Sequence, residues 1–214
     1  PSSSTQKKQQ GMANHNEGNR LDKDGGRMSA TNRGSVREEY DFYPTPRSAV
    51  DPFLKEFILN PESLLGVLEC CAGDGAIIKA IQDYCSNVIV EACEIQPRFE
   101  SDLRKLTNAV YIEDFTKFDP DGYDLIISNP PFNQAEEIIT HALENTGGFT
   151  EIAMLLRLGF LETKIRKPFW DKHPLTQLYV LSKRPSFIGR GRTDSSTYGW
   201  FVWSEHRDPL IKVI

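Results

Sequence analysis

The chain has 214 residues and a formal net charge of −5, from 25 Lys and Arg against 30 Asp and Glu. No apolar run approaches the length of a membrane span and no signal peptide is visible, so we expect a cytosolic or nuclear-type compartment and no membrane partner. The four cysteines, at positions 70, 71, 85 and 93, lack Cys-x-x-Cys spacing, so we expect no metal site. We expect Cys70, Cys71, Cys85 and Cys93 to be reduced thiols.

Residues 1–37 form a polar tail rich in Ser, Gln, Asn and Gly. Such a composition cannot bury enough apolar surface to offset the entropy of ordering, so the tail is predicted to be disordered. Seven Lys and Arg against three acids give it a charge of +4, which leaves −9 for residues 38–214. That remainder, about 175 residues, is the size of one domain.

A proline-rich segment precedes the first helix, with the sequence Asp41-Phe42-Tyr43-Pro44-Thr45-Pro46. Two prolines with neighbouring aromatic residues predict a rigid, extended segment. A helix is predicted over 47–59, with Thr45 or Ser48 as its N-terminal cap.

The next strand, predicted over 65–70, leads into a Gly-x-Gly turn at Gly73 and Gly75 and then into a helix over 75–85. Glycines at a helix N-terminus let a ligand approach the backbone closely. A dinucleotide fingerprint would need a third glycine where Ile78 stands, so a pyrophosphate is disfavoured. A cofactor that carries a sulfonium suits the neighbouring acids Glu69 and Asp74 better.

Two acids follow the next two predicted strands. Glu94 comes after the strand at 87–93, about 20 residues past the glycines, where an acidic residue can bind ribose hydroxyls. Asp114, followed by Phe115, comes after the strand at 109–112, with a helix predicted over 97–106 between the strands. The alternative is that both acids cap the elements that follow them.

The most informative motif follows the strand predicted over 123–128: Asn129-Pro130-Pro131-Phe132. Two prolines end the strand in a stiff turn at its carboxyl end, where open α/β sheets bind ligands. The Asn129 amide and the Pro130 carbonyl can accept hydrogen bonds from a substrate amine, with Phe132 as an aromatic plate. The alternative is a simple Pro-Pro turn before the helix predicted over 134–145.

Together with Tyr43-Pro44-Thr45-Pro46, this motif resembles those of phage and prophage N6-adenine DNA methyltransferases, over roughly residues 40–204. The resemblance implies that Asn129 and Pro130 bind the target amine, that Phe132 stacks on the base, and that the cofactor is S-adenosylmethionine. Asp114 would bind the cofactor's adenine amine. The departures are Cys70-Cys71 and the lack of a separate recognition domain. The cofactor contacts implied are Tyr43, Pro44, Thr45, Pro46, Glu69, Cys70, Ala72, Gly73, Asp74, Gly75, Glu94, Ile95, Asp114, Phe115 and Asn129.

The C-terminal part, with strands predicted over 151–157, 177–183 and 199–204, is basic. Nine Lys and Arg lie between Arg157 and Arg192, against two acids, and aromatic residues are interleaved with them. This pattern favours a nucleic-acid surface, and the alternative is an ordinary solvated face. The predicted nucleic-acid contacts, several of them in the loop 185–197, are Lys183, Arg184, Arg190, Arg192, Ser195 and Tyr198.

Alternating strands and helices predict an α/β, Rossmann-like methyltransferase fold, a mostly parallel doubly wound sheet with an antiparallel C-terminal hairpin at its edge. The predicted activity is methyl transfer to the exocyclic N6 of adenine in DNA, with base flipping. The alternatives are an RNA adenine methyltransferase, a protein glutamine N5-methyltransferase and a non-catalytic nucleic-acid-binding module. The expected partners are nucleic acid, with DNA favoured, and a protein that supplies sequence specificity.

Overall fold

A computed structural model describes residues 42–187 and 195–214, which form a mixed sheet with helices on both faces. The predicted tail lies outside these residues. Within them, the eight strands occur in the order β3-β2-β1-β4-β5-β7-β6-β8. The strands are β1 Gly66–Glu69, β2 Ile89–Glu94, β3 Val110–Ile112, β4 Leu125–Ser128, β5 Glu151–Arg157, β6 Gln177–Val180, β7 Tyr198–Trp203 and β8 Leu210–Val213.

The first five strands are parallel, because each is connected to the next by a crossover that packs on the sheet. One apolar cluster joins α1, α2 and α3 to one face, and a second joins α4 and α5 to the other. No helix in the described ranges is long and apolar enough to span a membrane. The helices are α1 Arg47–Phe57, α2 Ala76–Tyr84, α3 Glu100–Leu103, α4 Ala135–Asn145 and α5 Lys167–Lys172.

The predicted doubly wound fold is confirmed, with small differences in element bounds. The helix predicted over 97–106 is a 3₁₀ turn, Pro97–Phe99, followed by the short α3. The basic region contains α5, a helix that the sequence patterns did not predict.

The C-terminal strands pair as predicted but are arranged differently. β6 and β7 are antiparallel, as expected of a hairpin. However, β7 lies between β5 and β6, and β8 pairs with the outer edge of β6. The predicted antiparallel hairpin is therefore present next to the edge of the sheet, and the edge strand itself is β8. The residues of β8 are exposed and include Lys212, so this four-residue segment carries too little pattern to be recognised as a strand.

Trp200 in β7 ties this antiparallel strand to α1. Its indole is fully buried and stacks on Phe53, with ring centroids 4.5 Å apart. Its Nε1 donates a hydrogen bond of 2.8 Å to the Ala49 carbonyl oxygen. The C-terminal and N-terminal parts of the domain therefore share one core.

Candidate active site

The candidate site lies at the carboxyl edge of the parallel strands. β1, β2, β4 and β5 all run towards this edge, so the loops after them meet there. β6 has the same direction as β5, and the antiparallel β7 begins at this edge, opposite the end of β5. The topology therefore brings the glycine turn, the Asn-Pro-Pro-Phe motif and the predicted nucleic-acid residues to one side of the sheet.

The predicted glycine turn is present at the start of α2. Gly73 and Gly75 both have left-handed backbone conformations, with φ of +52° and +72°. A Cβ on Gly73 would lie 2.3 Å from Cε2 of Phe42, whose ring also contacts Phe99 at 4.5 Å between centroids. A Cβ on Gly75 would lie 2.4 Å from Cδ1 of Leu106. Gly75 is therefore required by internal packing, whereas Gly73 faces the segment that precedes α1.

Glu94 joins the end of β2 to the glycine turn. Its Oε2 accepts a hydrogen bond of 2.7 Å from the Gly73 N–H, and its Oε1 accepts one of 2.8 Å from Gln96. Burial raises the pKa of this carboxyl, and backbone donors, Gln96 and Gly73 foremost, act in the opposite direction. A carboxylate has about four acceptor sites, so Glu94 can also accept from hydroxyl groups. Ile95, which follows it, is exposed.

The two acids of the turn region have different surroundings. Glu69 is buried beneath α2, where it accepts a hydrogen bond of 3.2 Å from the Ile78 N–H. Burial holds the pKa of Glu69 well above its usual range. Asp74 is half-buried and accepts from Ala76 at 3.2 Å, so it also caps α2. The neighbouring Cys70 and Ala72 are buried, and the Ala72 N–H donates to the Cys93 carbonyl at 3.0 Å.

Asp114 has the capping geometry that was the alternative to a cofactor contact. Its Oδ1 accepts from the backbone N–H of Thr116 at 3.1 Å and from the Thr116 hydroxyl at 2.8 Å. These bonds keep the pKa of Asp114 low. Phe115 is buried against Phe118 and His141, on the α4 face of the sheet. Phe115, an implied cofactor contact, is only 4% exposed, so most of its ring is enclosed by protein.

The Tyr-Pro-Thr-Pro segment and the Asn-Pro-Pro-Phe motif are in direct contact. Asn129 Nδ2 donates a hydrogen bond of 3.1 Å to Thr45 Oγ1. The prediction that Thr45 or Ser48 caps the first helix is wrong, because Pro46 precedes α1 and no side chain caps it. With its amide nitrogen held by Thr45, Asn129 has its Oδ1 available as an acceptor. Within the same segment, Tyr43 and Pro46 are half-buried and Pro44 is exposed.

The remaining motif residues form a turn that leads into α4. Pro130 is buried, and no donor among the described residues bonds its carbonyl oxygen. The Pro131 carbonyl accepts from Gln134 at 3.0 Å, just before α4 begins. Phe132 is half-buried, and the Arg157 guanidinium lies 4.3 Å from its ring centroid.

The predicted nucleic-acid residues separate into surface and interior positions. Lys183, Arg184 and Ser195 are exposed. Tyr198 is only 1% exposed, so its prediction as a surface contact is corrected. It begins β7, packs against Phe132 and Phe187, and its hydroxyl accepts a hydrogen bond of 3.0 Å from Arg157 Nε. Arg190 and Arg192 lie outside the described residues.

Part of the basic excess is neutralised by α4. Acids on this helix pair with Arg166 and Lys172, and Lys167 pairs with Asp171 of its own helix. The sequence count included only acids within the basic segment, so it missed Glu136 and Glu144, which packing brings to the same face. The excess is therefore smaller than the sequence indicated.

Two residues at the site were not singled out from the sequence. Phe42 covers Gly73, and Arg157 stacks on Phe132. Phe42 lies within the proline-rich segment, next to Tyr43, and this position is a signal that could have indicated its role. Arg157 was counted only as a basic residue, since nothing in the local pattern places it against an aromatic ring.

No family model and no curated protein matches the chain. Several solved structures are similar to it in fold. A proposed RNA methyltransferase from Pyrococcus horikoshii is 16% identical, with a TM-score of 0.59, over 82% of this chain and 89% of that one. A proposed class I S-adenosylmethionine-dependent methyltransferase from Listeria monocytogenes is 13% identical, with a TM-score of 0.56, over 79% of this chain.

An S-adenosylmethionine-dependent O-methyltransferase from Thermotoga maritima is 19% identical, with a TM-score of 0.53, over 73% of this chain. This chain spans 65% of the length of both the Listeria and the Thermotoga proteins. Identities this low establish the architecture alone. The chain therefore has the Rossmann-like fold of the class I methyltransferases.

Proposed function

We propose that this protein transfers a methyl group from S-adenosylmethionine to the N6 amine of an adenine flipped out of DNA. The observation that carries the proposal is the hydrogen bond between Asn129 and Thr45. It joins the two most specific sequence motifs at the carboxyl edge of the sheet and fixes the orientation of the Asn129 amide. The Pro130 carbonyl and the Phe132 ring lie beside it in the same turn.

The residues at the glycine turn fit a cofactor with a positive sulfonium and no phosphate. Gly73 and Gly75 in the turn have left-handed backbones, and the carboxyl groups of Asp74 and Glu94 accept hydrogen bonds from backbone N–H groups of the turn and of the start of α2. Glu94 would bind the ribose hydroxyls through the acceptor capacity left by its backbone bonds. When bound, the cofactor supplies an electrophilic methyl group.

The amine of adenine is a poor nucleophile, because its lone pair is delocalised into the ring. Asn129 Oδ1 and the Pro130 carbonyl oxygen would each accept one of its two N–H bonds. Holding both hydrogens favours a tetrahedral nitrogen whose lone pair points out of the ring plane. Preorganised acceptors therefore activate the amine by position and electrostatics, and the proton leaves to solvent after transfer.

Phe132 would hold the target base by stacking. Base–aromatic stacking contributes about 1–3 kcal/mol per base, which offsets part of the cost of removing a base from a duplex. The Arg157 guanidinium over Phe132 and the nearby Tyr198 ring fix the orientation of the Phe132 ring. The site therefore has a rigid aromatic plate beside its two acceptors.

The choice of DNA over RNA rests on the resemblance of the two motifs, because the same acceptors would serve either nucleic acid. RNA is the second candidate, since one structural neighbour is a proposed RNA methyltransferase. Lys183 and Arg184 lie exposed after β6, at the same edge as the site, and favour a polyanionic substrate over protein glutamine. A protein partner that supplies sequence specificity stays a prediction.

The test is incubation of the full chain with S-adenosylmethionine labelled at the methyl group and with duplex DNA, RNA or protein, followed by nucleoside and amino-acid analysis. We expect labelled N6-methyladenine in DNA. Label in RNA alone would support the second candidate, and N5-methylglutamine would identify a protein substrate. Calorimetric binding of the cofactor separates an enzyme from a binding module, which would not take it up.

Replacing Glu94 with Ala is expected to weaken cofactor binding by roughly 1.5–3 kcal/mol, the range for hydrogen bonds to a charged group. The variant removes both the acceptor for hydroxyls and the bond that holds the Gly73 N–H. Glu94→Gln is the matched control, because it keeps one acceptor oxygen and should lose less. Isothermal titration measures both variants, and an unchanged affinity in Glu94→Ala would contradict the assignment.

A further inference from the structure

The connection between β5 and α5, residues 158–166, lies beside the proposed target site. At its start, Arg157 stacks on Phe132. At its end, Arg166 Nε lies 3.3 Å from Oε2 of Glu136, which is in the first turn of α4 and four residues past Phe132. The start of the connection is therefore held against the motif that would receive the base, and its end is held against the first turn of the helix that follows this motif.

This connection has an unusual backbone conformation. Among the described residues, Thr163 is the one non-glycine residue with a positive φ, at +127°. A β-branched residue adopts such a conformation at a cost in free energy, so surrounding structure must hold it in place. The Arg166 guanidinium, 4.3 Å from the Phe160 ring centroid, and its ion pair with Glu136 supply that support. Two residues later, the chain presents Ile165 to solvent.

Ile165 is 85% exposed and has basic neighbours in sequence, Lys164 and Lys167. A single exposed aliphatic side chain is common on protein surfaces. Ile165 differs by its position, because it lies on a strained connection that is anchored to Phe132 at its start and to α4 at its end. Duplex DNA has stacked bases flanked by phosphates, so an apolar side chain can contact the bases while neighbouring cations contact the phosphates.

We propose that Ile165 is a wedge that enters double-stranded DNA at the place vacated by the flipped adenine. The side chain would stack between the neighbouring base pairs and replace contacts that the flipped base gives up. Lys164 would contact a flanking phosphate. The inference rests on the proposed function and extends it, because it commits the enzyme to duplex DNA. Ile165 is a positioning residue in this role, since it fills the gap in the base stack and does not contact the reacting amine.

The test compares two forms of one substrate. Double-stranded DNA of mixed sequence, and the same DNA after heat denaturation, are methylated by the full-length parent and by Ile165→Ala. A single-stranded base leaves no gap to fill, so only the duplex reaction needs a wedge. We expect Ile165→Ala to lower kcat/KM on duplex DNA by roughly 10-fold or more and to leave the single-stranded reaction unchanged.

Two further variants make the comparison specific. Ile165→Leu keeps an aliphatic wedge and should restore the duplex reaction. Leu59→Ala is the matched control, because Leu59 is an aliphatic residue of nearly equal exposure, 83%, that follows α1 away from the site. It should leave both reactions unchanged.

The outcomes separate this inference from the proposed function. If the parent methylates adenine in DNA but Ile165→Ala leaves the ratio of duplex to single-stranded activity unchanged, the wedge is wrong and the proposed function stands. A parent that methylates only denatured DNA or RNA would also overturn the wedge. If the parent methylates no nucleic acid, the proposed function fails and the wedge fails with it.

Discussion

Replacing Asn129 with Ala is expected to lower the rate of methyl transfer by at least ~10²-fold, the scale for losing one preorganised polar contact at a reacting group. The change removes Oδ1, one of the two acceptors proposed for the adenine amine. Cofactor affinity should stay nearly unchanged, because the Asn129 side chain is proposed to face the substrate amine and the variant keeps Glu94 and the glycine turn. Single-turnover kinetics with saturating cofactor, together with calorimetry, measure the two quantities separately.

Thr45→Val is the control for this prediction. Valine keeps the shape of Thr45 and removes the acceptor for Asn129 Nδ2, so the amide keeps its chemistry and loses its fixed orientation. One neutral hydrogen bond contributes little more than about 1 kcal/mol, so the rate should fall by no more than about 10-fold. A parent-like rate in Asn129→Ala would show that Asn129 only shapes the turn.

Replacing Trp200 with Ala is expected to lower the free energy of unfolding by about 3–5 kcal/mol, the range for removing a large buried aromatic side chain. The indole is fully buried, stacks on Phe53, and donates a hydrogen bond to the backbone of α1. Its loss leaves a cavity between β7 and α1. Chemical denaturation should show the loss, and thermal denaturation should show a midpoint lower by roughly 6–20 °C.

Trp200→Phe is the matched variant, because it keeps the aromatic stack on Phe53 and removes the Nε1 donor to Ala49. It should lose clearly less stability than Trp200→Ala. If both variants unfolded like the parent, Trp200 would not link the C-terminal strand to the N-terminal helix. Loss of activity without loss of stability would point instead to an effect on the site.

The parts of the site that could be predicted are those whose backbone conformation is determined by residues close together in the sequence. The Asn-Pro-Pro-Phe turn follows from two adjacent prolines after a buried strand, which leave the backbone few conformations. The glycine turn follows from glycines between a strand and a helix, and both glycines do have positive φ. The five parallel strands follow from apolar runs that alternate with helical segments, so the prediction of the fold class was correct.

Other features depend on contacts between distant segments, which a single sequence does not reveal. The Tyr198 ring was predicted on the surface, but β7 enters the sheet beside β5 and encloses it. Thr45 was predicted to cap a helix, but its hydroxyl bonds a residue 84 positions away. Phe115 was assigned to a cofactor from its neighbour Asp114, although packing on the face covered by α4 determines where its ring lies.

The insertion of β7 between two earlier strands has a consequence for synthesis on the ribosome. Every residue of β5 from Ile152 to Arg157 pairs with β7, and β6 pairs with β7 and β8. A growing chain therefore contains β5 for roughly 2–8 s before its partner is translated, at the usual rates of elongation. During that interval β5 has an open hydrogen-bonding edge and apolar side chains, the combination that promotes aggregation. The nascent protein thus depends on its last strands, and on any chaperone that shields this edge until they emerge.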